Sequence, residues 1–175
     1  MKPFLHVLAG LGAMLMLLAL LSCSKVPQPA AEPPKEEEKQ EQPQEESSMP
    51  DTIQMTIAGQ TLPVSIEHND AAEALVTALR NAPITFTASD YGGFEKVGPL
   101  GRSLPTANSQ ITTQAGDVML YNGDQIVLFY GSNSWSYTRL GKILYGSLDE
   151  LKSFLHAGEG NISVLLSLIP GSIHN

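Results

Sequence analysis

The segment Val118-Met119-Leu120-Tyr121, Asn122-Gly123, then Gln125-Ile126-Val127-Leu128-Phe129-Tyr130 restricts this chain more than any other. Asn-Gly suits a type I′ turn, whose two central residues both need positive φ, so the flanking runs read as an antiparallel hairpin. Both arms are apolar at successive positions, and successive strand residues point to opposite faces. Both faces of this hairpin must therefore be covered. That excludes a free-standing sheet with one solvated side.

The neighbouring segments supply more strands. Ile53, Met55 and Ile57 alternate with polar residues, Gly59-Gln60 marks a turn, and Leu62, Val64 and Ile66 alternate again, the pattern of two half-buried strands. Asp70-Ala71-Ala72-Glu73 reads as a capping box opening a helix through Arg80, and Asn81-Ala82-Pro83 stops it. Ile84 to Ala88 is a short strand. Ser89 to Ser109 is rich in Gly and Pro and reads as a long loop of the functional kind. Trp135 to Leu140 is a strand that Ile143-Leu144 continues beyond Gly141. Ser147-Leu148-Asp149-Glu150 is a second capping box, opening a helix to about His156, and Asn161 to Leu168 is a last strand. Seven or eight short strands with two short helices predict a mainly β protein, a closed β-barrel whose ends the helices cover.

The first fifty residues differ in kind. Lys2 precedes an apolar run to Leu21, and Leu20-Leu21-Ser22-Cys23 follows, the order of a secretory signal peptide. The last four residues resemble the bacterial lipobox. That resemblance implies cleavage before Cys23, a diacylglycerol thioether on it, and a membrane as partner, with the domain on the extracytoplasmic side of a cell or outer membrane. Cys23 is the only cysteine, so no intramolecular disulfide forms and the exported domain must rely on its own apolar core. Residues 24–50 hold seven Glu and three Lys among Pro and Gln, too polar to offset chain entropy. They read as a disordered tether of roughly 30 Å. The organisation expected is thus a signal at 1–22, lipidated Cys and tether at 23–50, and a folded domain at 51–175.

Net charge is −8, and residues 51–175 carry eleven acids against six bases with no basic cluster. Nucleic acid is excluded as a partner, since phosphate binding needs clustered Lys and Arg. His68, His156 and His174 fall in separate contexts without metal-ligand spacing, and no Gly-x-Ser-x-Gly elbow, Gly-x-Gly-x-x-Gly or Walker-type loop is present. No cofactor, metal or catalytic residue is expected from motifs.

Several segments, in order, carry a resemblance. Gln114-Ala115-Gly116-Asp117 is similar to the cyclophilin Gln-Gly-Gly-Asp segment, and Gln125 to Phe129 to the strand that follows it. Trp135 comes ten residues after Gln125, and Leu140-Gly141-Lys142-Ile143 is similar to Phe-Gly-Lys-Val before the last helix. Ala115 to Tyr121, Leu128 to Tyr130 and Ser136 to Gly141 resemble more closely the small bacterial cyclophilin-like domains of uncertain function. The resemblance covers about Thr52 to Leu168 and implies the cyclophilin-like barrel. Cyclophilins isomerise prolyl bonds with an Arg in Phe-His-Arg, eight residues before that Gln. Here the position is Thr106, after Leu104-Pro105, and only Arg102 and Arg139 can stand in.

The site expected is a surface groove formed by Gln114, Tyr121, Gln125, Trp135, Tyr137 and Arg139. Residues 135, 137 and 139 share one strand face, and such a row suits a ligand with an apolar body and an anionic or carbonyl group. In the structural alternative Trp135 and Tyr137 fill one barrel end and Arg139 pairs with Asp117 or Asp124. Two functions follow: a non-catalytic module binding a peptide or small molecule, or a prolyl isomerase with a degenerate or relocated site.

Overall fold

Half-buried alternation produces the first hairpin as expected. In the computed structural model, which describes residues 49–171, β1 (Thr52–Ile57) and β2 (Gln60–Ile66) pair antiparallel. Ile53, Met55 and Ile57 on β1, with Val64 and Ile66 on β2, turn inward. The expected signal, Cys23, residues 24–48 of the expected tether, and His174 lie outside the described residues, whereas Met49 packs against the core.

Helix α1 (Asp70–Asn81) is capped one residue earlier than the sequence indicated. The Asn69 side chain, on extended backbone, accepts from the Ala72 N–H at 3.0 Å, which is the N-cap geometry. Its amide also donates to the Arg139 carbonyl at 2.9 Å and pins the helix start to a later strand. Helix α2 (Leu148–Phe154) has the full Ser147/Glu150 capping box and ends two residues short of the expected His156. Leu75, Val76 and Leu79 of α1 and Leu151 and Phe154 of α2 enter the interior core.

The long loop expected over 89–109 is the principal correction. β3 (Ile84–Tyr91) runs into it, turns at Gly92-Gly93, and returns as β4 (Glu95–Pro99). Only residues 100–108 remain irregular. The segment lacks apolar alternation because Glu95 and Lys96 are buried charges, which no periodicity rule registers.

β5 (Ser109–Thr112), β6 (Asp117–Tyr121), β7 (Gln125–Phe129), β8 (Ser134–Ile143) and β9 (Ile162–Leu168) complete the sheet. The strand order is β2-β1-β9-β3-β4-β7-β6-β8-β5, and the added β2–β8 pairing closes eight strands into an antiparallel barrel, with β5 as a flap on β8. The closure passes through Ile66↔Gly141. A Cβ at Gly141 would collide with the Ser65 carbonyl oxygen, and one at Gly98 with the Thr87 carbonyl oxygen. Both glycines therefore permit close strand approach.

The β6–β7 hairpin has φ of 51° at Asn122 and 80° at Gly123, as its turn type requires. Both of its faces are covered. Val118, Leu120, Ile126 and Leu128 join the interior core, whereas Met119, Val127 and Phe129 form a second cluster outside the barrel with Tyr137 of β8. A bulge in β8 helps keep the two apart. Met119 faces Arg139 and Val118 faces Gly141, so Leu140 is the extra residue and enters the interior core.

Candidate functional site

The second, outer cluster is the floor of a cleft. Val97 of β4 and Val127 of β7 lie at its base, edged by Tyr121 of β6, Trp135 and Tyr137 of β8, Asn133, Tyr91 at the end of β3, and Glu95. Its volume is ≈ 380 Å³, within the range of small-ligand sites, about 300–1,000 Å³.

The aromatic walls are held by ring contacts and hydrogen bonds. Tyr137 is edge-on to Phe129, with centroids 5.6 Å apart, and to Tyr121 at 6.1 Å. The Asn133 amide donates to the Tyr137 hydroxyl at 3.1 Å. Asn133 is itself fixed, because its carbonyl accepts from the N–H of fully buried Thr113 at 2.8 Å. Two aromatic residues remain open to solvent: Tyr91 is 66% exposed and Trp135 is 56% exposed. Rigid rings below and open rings above suit an aromatic or apolar occupant.

Glu95 departs from this apolar character. It is 4% exposed, and its Oε2 has no hydrogen-bond partner. Burial without a counter-charge pushes its carboxyl up to about 7. Tyr137 and Tyr130 are likewise raised, first by burial, and Tyr130 reaches about 12. Lys96, next in the chain, is turned away. Its ammonium is fully buried and bonded to Asp90 at 2.7 Å and to the Gly160 carbonyl at 2.5 Å.

Of the six groove residues expected from sequence, Tyr121, Trp135 and Tyr137 come together in this cleft. Arg139 does not line it. As the structural alternative had it, Arg139 pairs with buried Asp117, at 3.0 Å. Its strand face is that of Met119, as period-2 alternation requires, but its guanidinium serves Asp117. Gln114 is exposed outside the cleft, where its N–H donates to Asp117 at 3.0 Å. Gln125 contacts Asp124 at 3.4 Å and also lies outside the lining. Trp135 and Tyr137 stand on the outer face rather than plugging a barrel end.

Sequence reasoning missed Glu95, Tyr91, Val97, Val127 and Asn133 as lining residues. Glu95 and Tyr91 lie in the stretch read as a loop, and an isolated Glu beside Lys reads as solvated surface. His68 pairs with Asp51 at 3.3 Å and His156 with Glu159 at 2.8 Å. Among the described residues no group of three or more His, Cys, Asp or Glu is placed to hold a metal ion.

The barrel has parallels among solved structures. The solution structure of the hypothetical protein AF2241 from Archaeoglobus fulgidus superposes with a TM-score of 0.51 at 17% identity, covering 67% of this chain and 94% of that one. McbB, solved in complex with tryptophan, superposes with a TM-score of 0.51 at 13% identity, covering 70% of this chain. This chain spans 46% of McbB. No curated protein sequence matches the chain. The model of the cyclophilin-like family matches residues 55–167, most of the barrel described above, and the chain belongs to that family.

Proposed function

We propose that the domain is a non-catalytic binding module that takes a small molecule or peptide side chain with an aromatic or apolar body into the outer cleft. The observation that supports it best is the aromatic-walled cleft itself, with Trp135 and Tyr91 left open above a rigid floor. Exposed rings grouped around a concavity commonly mark binding surfaces. Binding is favoured over prolyl isomerisation because the lining contains no Lys or Arg. A twisted imide, whose barrier is about 18–20 kcal/mol, therefore meets no cation there.

Trp135 is the only tryptophan, so its emission reports on the cleft directly. Titration of 2-phenylethanol into the chain from residue 24 onward, which keeps every strand of the barrel, is expected to shift that emission saturably. In Trp135→Ala, followed by calorimetry, affinity is expected to fall about tenfold, the loss of one ring contact worth roughly 1.4 kcal/mol. No saturable response in the wild-type chain would rule the reading out.

The same proposal places the module outside the cytoplasm, tethered by lipid on Cys23 through residues 24–50. Leu20-Leu21-Ser22-Cys23 after a Lys-led apolar run supports this, and two acyl chains make a durable anchor. In a bacterial host fed labelled palmitate, the full chain is expected in the membrane fraction carrying label. Cys23→Ser is expected to carry none. Unlabelled wild-type protein would defeat the anchoring proposal.

A further inference from the structure

A carboxyl side chain 4% exposed, lining a cleft, with one oxygen lacking any partner, is an unsatisfied half of an interaction. Leaving such a group unmade costs more than a made hydrogen bond contributes. Among the described residues nothing supplies the other half. The Lys96 ammonium is committed to Asp90 and Gly160, and the Arg139 guanidinium to Asp117. The remaining polar side-chain atoms of the lining belong to Asn133, Trp135 and three tyrosines, and none of them bonds that oxygen.

The walls favour the same kind of partner. Tyr91, Tyr121, Trp135 and Tyr137 surround the cleft, and the faces of such rings attract cations. The folded segment carries eleven acids against six bases, so its field draws cations toward it and repels anions. Carboxyl, rings and overall charge point one way.

We propose that the cleft selects an organic ammonium on an aromatic or apolar body, and that Glu95 is the residue that selects it. This deepens the binding reading above and rests on it. The ammonium donates to the Glu95 carboxylate while the body packs on Val97, Val127 and the rings. An anionic group, one of the two kinds (anionic or carbonyl) that the row ending in Arg139 suits, is rejected at this position.

The arrangement makes binding depend on pH. Burial holds Glu95 up at about 7, so near neutrality the empty cleft holds a mixture of neutral and ionised carboxyl. The titratable groups around it are Tyr91, Tyr121 and Tyr137 of the lining, and Tyr130, which is coupled to it electrostatically. Tyr130 and Tyr137 are shifted upward and stay neutral. Lys96 lies beside Glu95 in the chain and is bonded to Asp90, whose carboxyl, held down at about 2, stays ionised near pH 7. An arriving ammonium favours the ionised carboxyl, so binding below about pH 7 releases a proton. Affinity for the amine then rises about tenfold from about pH 6 to about pH 8.

Three probes sharing one body test this: phenethylamine, 2-phenylethanol and phenylacetate, titrated by calorimetry into the chain from residue 24 onward and into Glu95→Gln. At about pH 8 the amine is expected to bind at least about tenfold more tightly than the alcohol, with phenylacetate weakest. In Glu95→Gln the amine is expected to fall to the affinity of the alcohol and lose its pH dependence. Equal affinities of amine and alcohol in the wild-type chain would overturn the role of Glu95 while leaving the binding cleft standing. A preference for amine that persists in Glu95→Gln would overturn it as well. No binding by any of the three at millimolar concentration would overturn both the cleft reading and this inference.

Discussion

Asp90→Ala is expected to destabilise the domain by about 3–5 kcal/mol, because it strands a buried ammonium. Lys96 is 0% exposed, and its Nζ lies 2.7 Å from Asp90 Oδ2. The same carboxylate accepts from the Tyr130 hydroxyl at 2.9 Å, from Gly158 N–H at 3.1 Å and from Gly160 N–H at 2.8 Å. Burial alone would raise the Asp90 carboxyl. The hydrogen bonds from Lys96, Gly158, Gly160 and Tyr130 outweigh it and hold the carboxyl down at about 2. A folded-state value below the ordinary 3.8 means that this stabilisation is complete above that value. It is lost as pH falls through about 2.

Urea unfolding of the variant at neutral pH measures the effect. A loss below about 1 kcal/mol would show that the ammonium finds water or another acceptor, and that the network is not what holds this corner. The consequence reaches the cleft as well. Asp90 and Lys96 are the chain neighbours of Tyr91 and Glu95, and they face each other in the β3–β4 pairing. Loosening that pair releases the hairpin that carries three lining residues, Tyr91, Glu95 and Val97.

Glu95→Gln is expected to act in the opposite direction, stabilising the domain by about 2 kcal/mol at about pH 8.5 and leaving it nearly unchanged at about pH 5. The folded carboxyl titrates at about 7 against an ordinary 4.5. Between those values the folded state binds more protons than the unfolded state, so wild-type stability declines as pH rises through this window. Above about 7 the carboxylate is ionised in both states, and the folded state bears the whole cost of the buried charge. Gln keeps the shape of the protonated acid and cannot ionise. Stability curves for the two proteins should therefore converge in mild acid and separate above neutrality. Parallel curves would mean that Glu95 reaches solvent and titrates normally.

Together the two substitutions separate a half-buried carboxylate and a buried one of opposite meaning. Asp90 is saturated with donors and strengthens the fold. Glu95 has an oxygen with none, and weakens it at alkaline pH. A group retained at a cost to stability is the kind expected at a binding site rather than in a scaffold.

Much of the architecture was legible in the chain itself. The 53–57/62–66 alternation, the Asn122-Gly123 turn, the Ser147/Glu150 box and the two-sided apolar runs of β6 and β7 all appear where local chemistry placed them. These are short-range signals, and local backbone preference and side-chain period suffice to read them. Three of the four aromatic residues of the cleft were legible too, because Tyr121, Trp135 and Tyr137 lie on two clearly patterned strands, whereas Tyr91 fell in the stretch read as a loop.

Only the tertiary structure decided the rest. Nothing near residue 95 distinguishes a buried carboxyl from a solvated one, since burial depends on which strands lie on either side of β4. Those neighbours, β3 and β7, come from pairings some four and thirty residues away along the chain. The fate of Arg139 was likewise undetermined by its strand face, which was read correctly. Which of several carboxylates it meets depends on the bulge at Leu140 and on the position of Asp117 across the sheet. Periodicity tells which way a side chain points. Closure of the barrel determines what it finds there, and here that closure left Glu95 facing a cleft with no partner of its own.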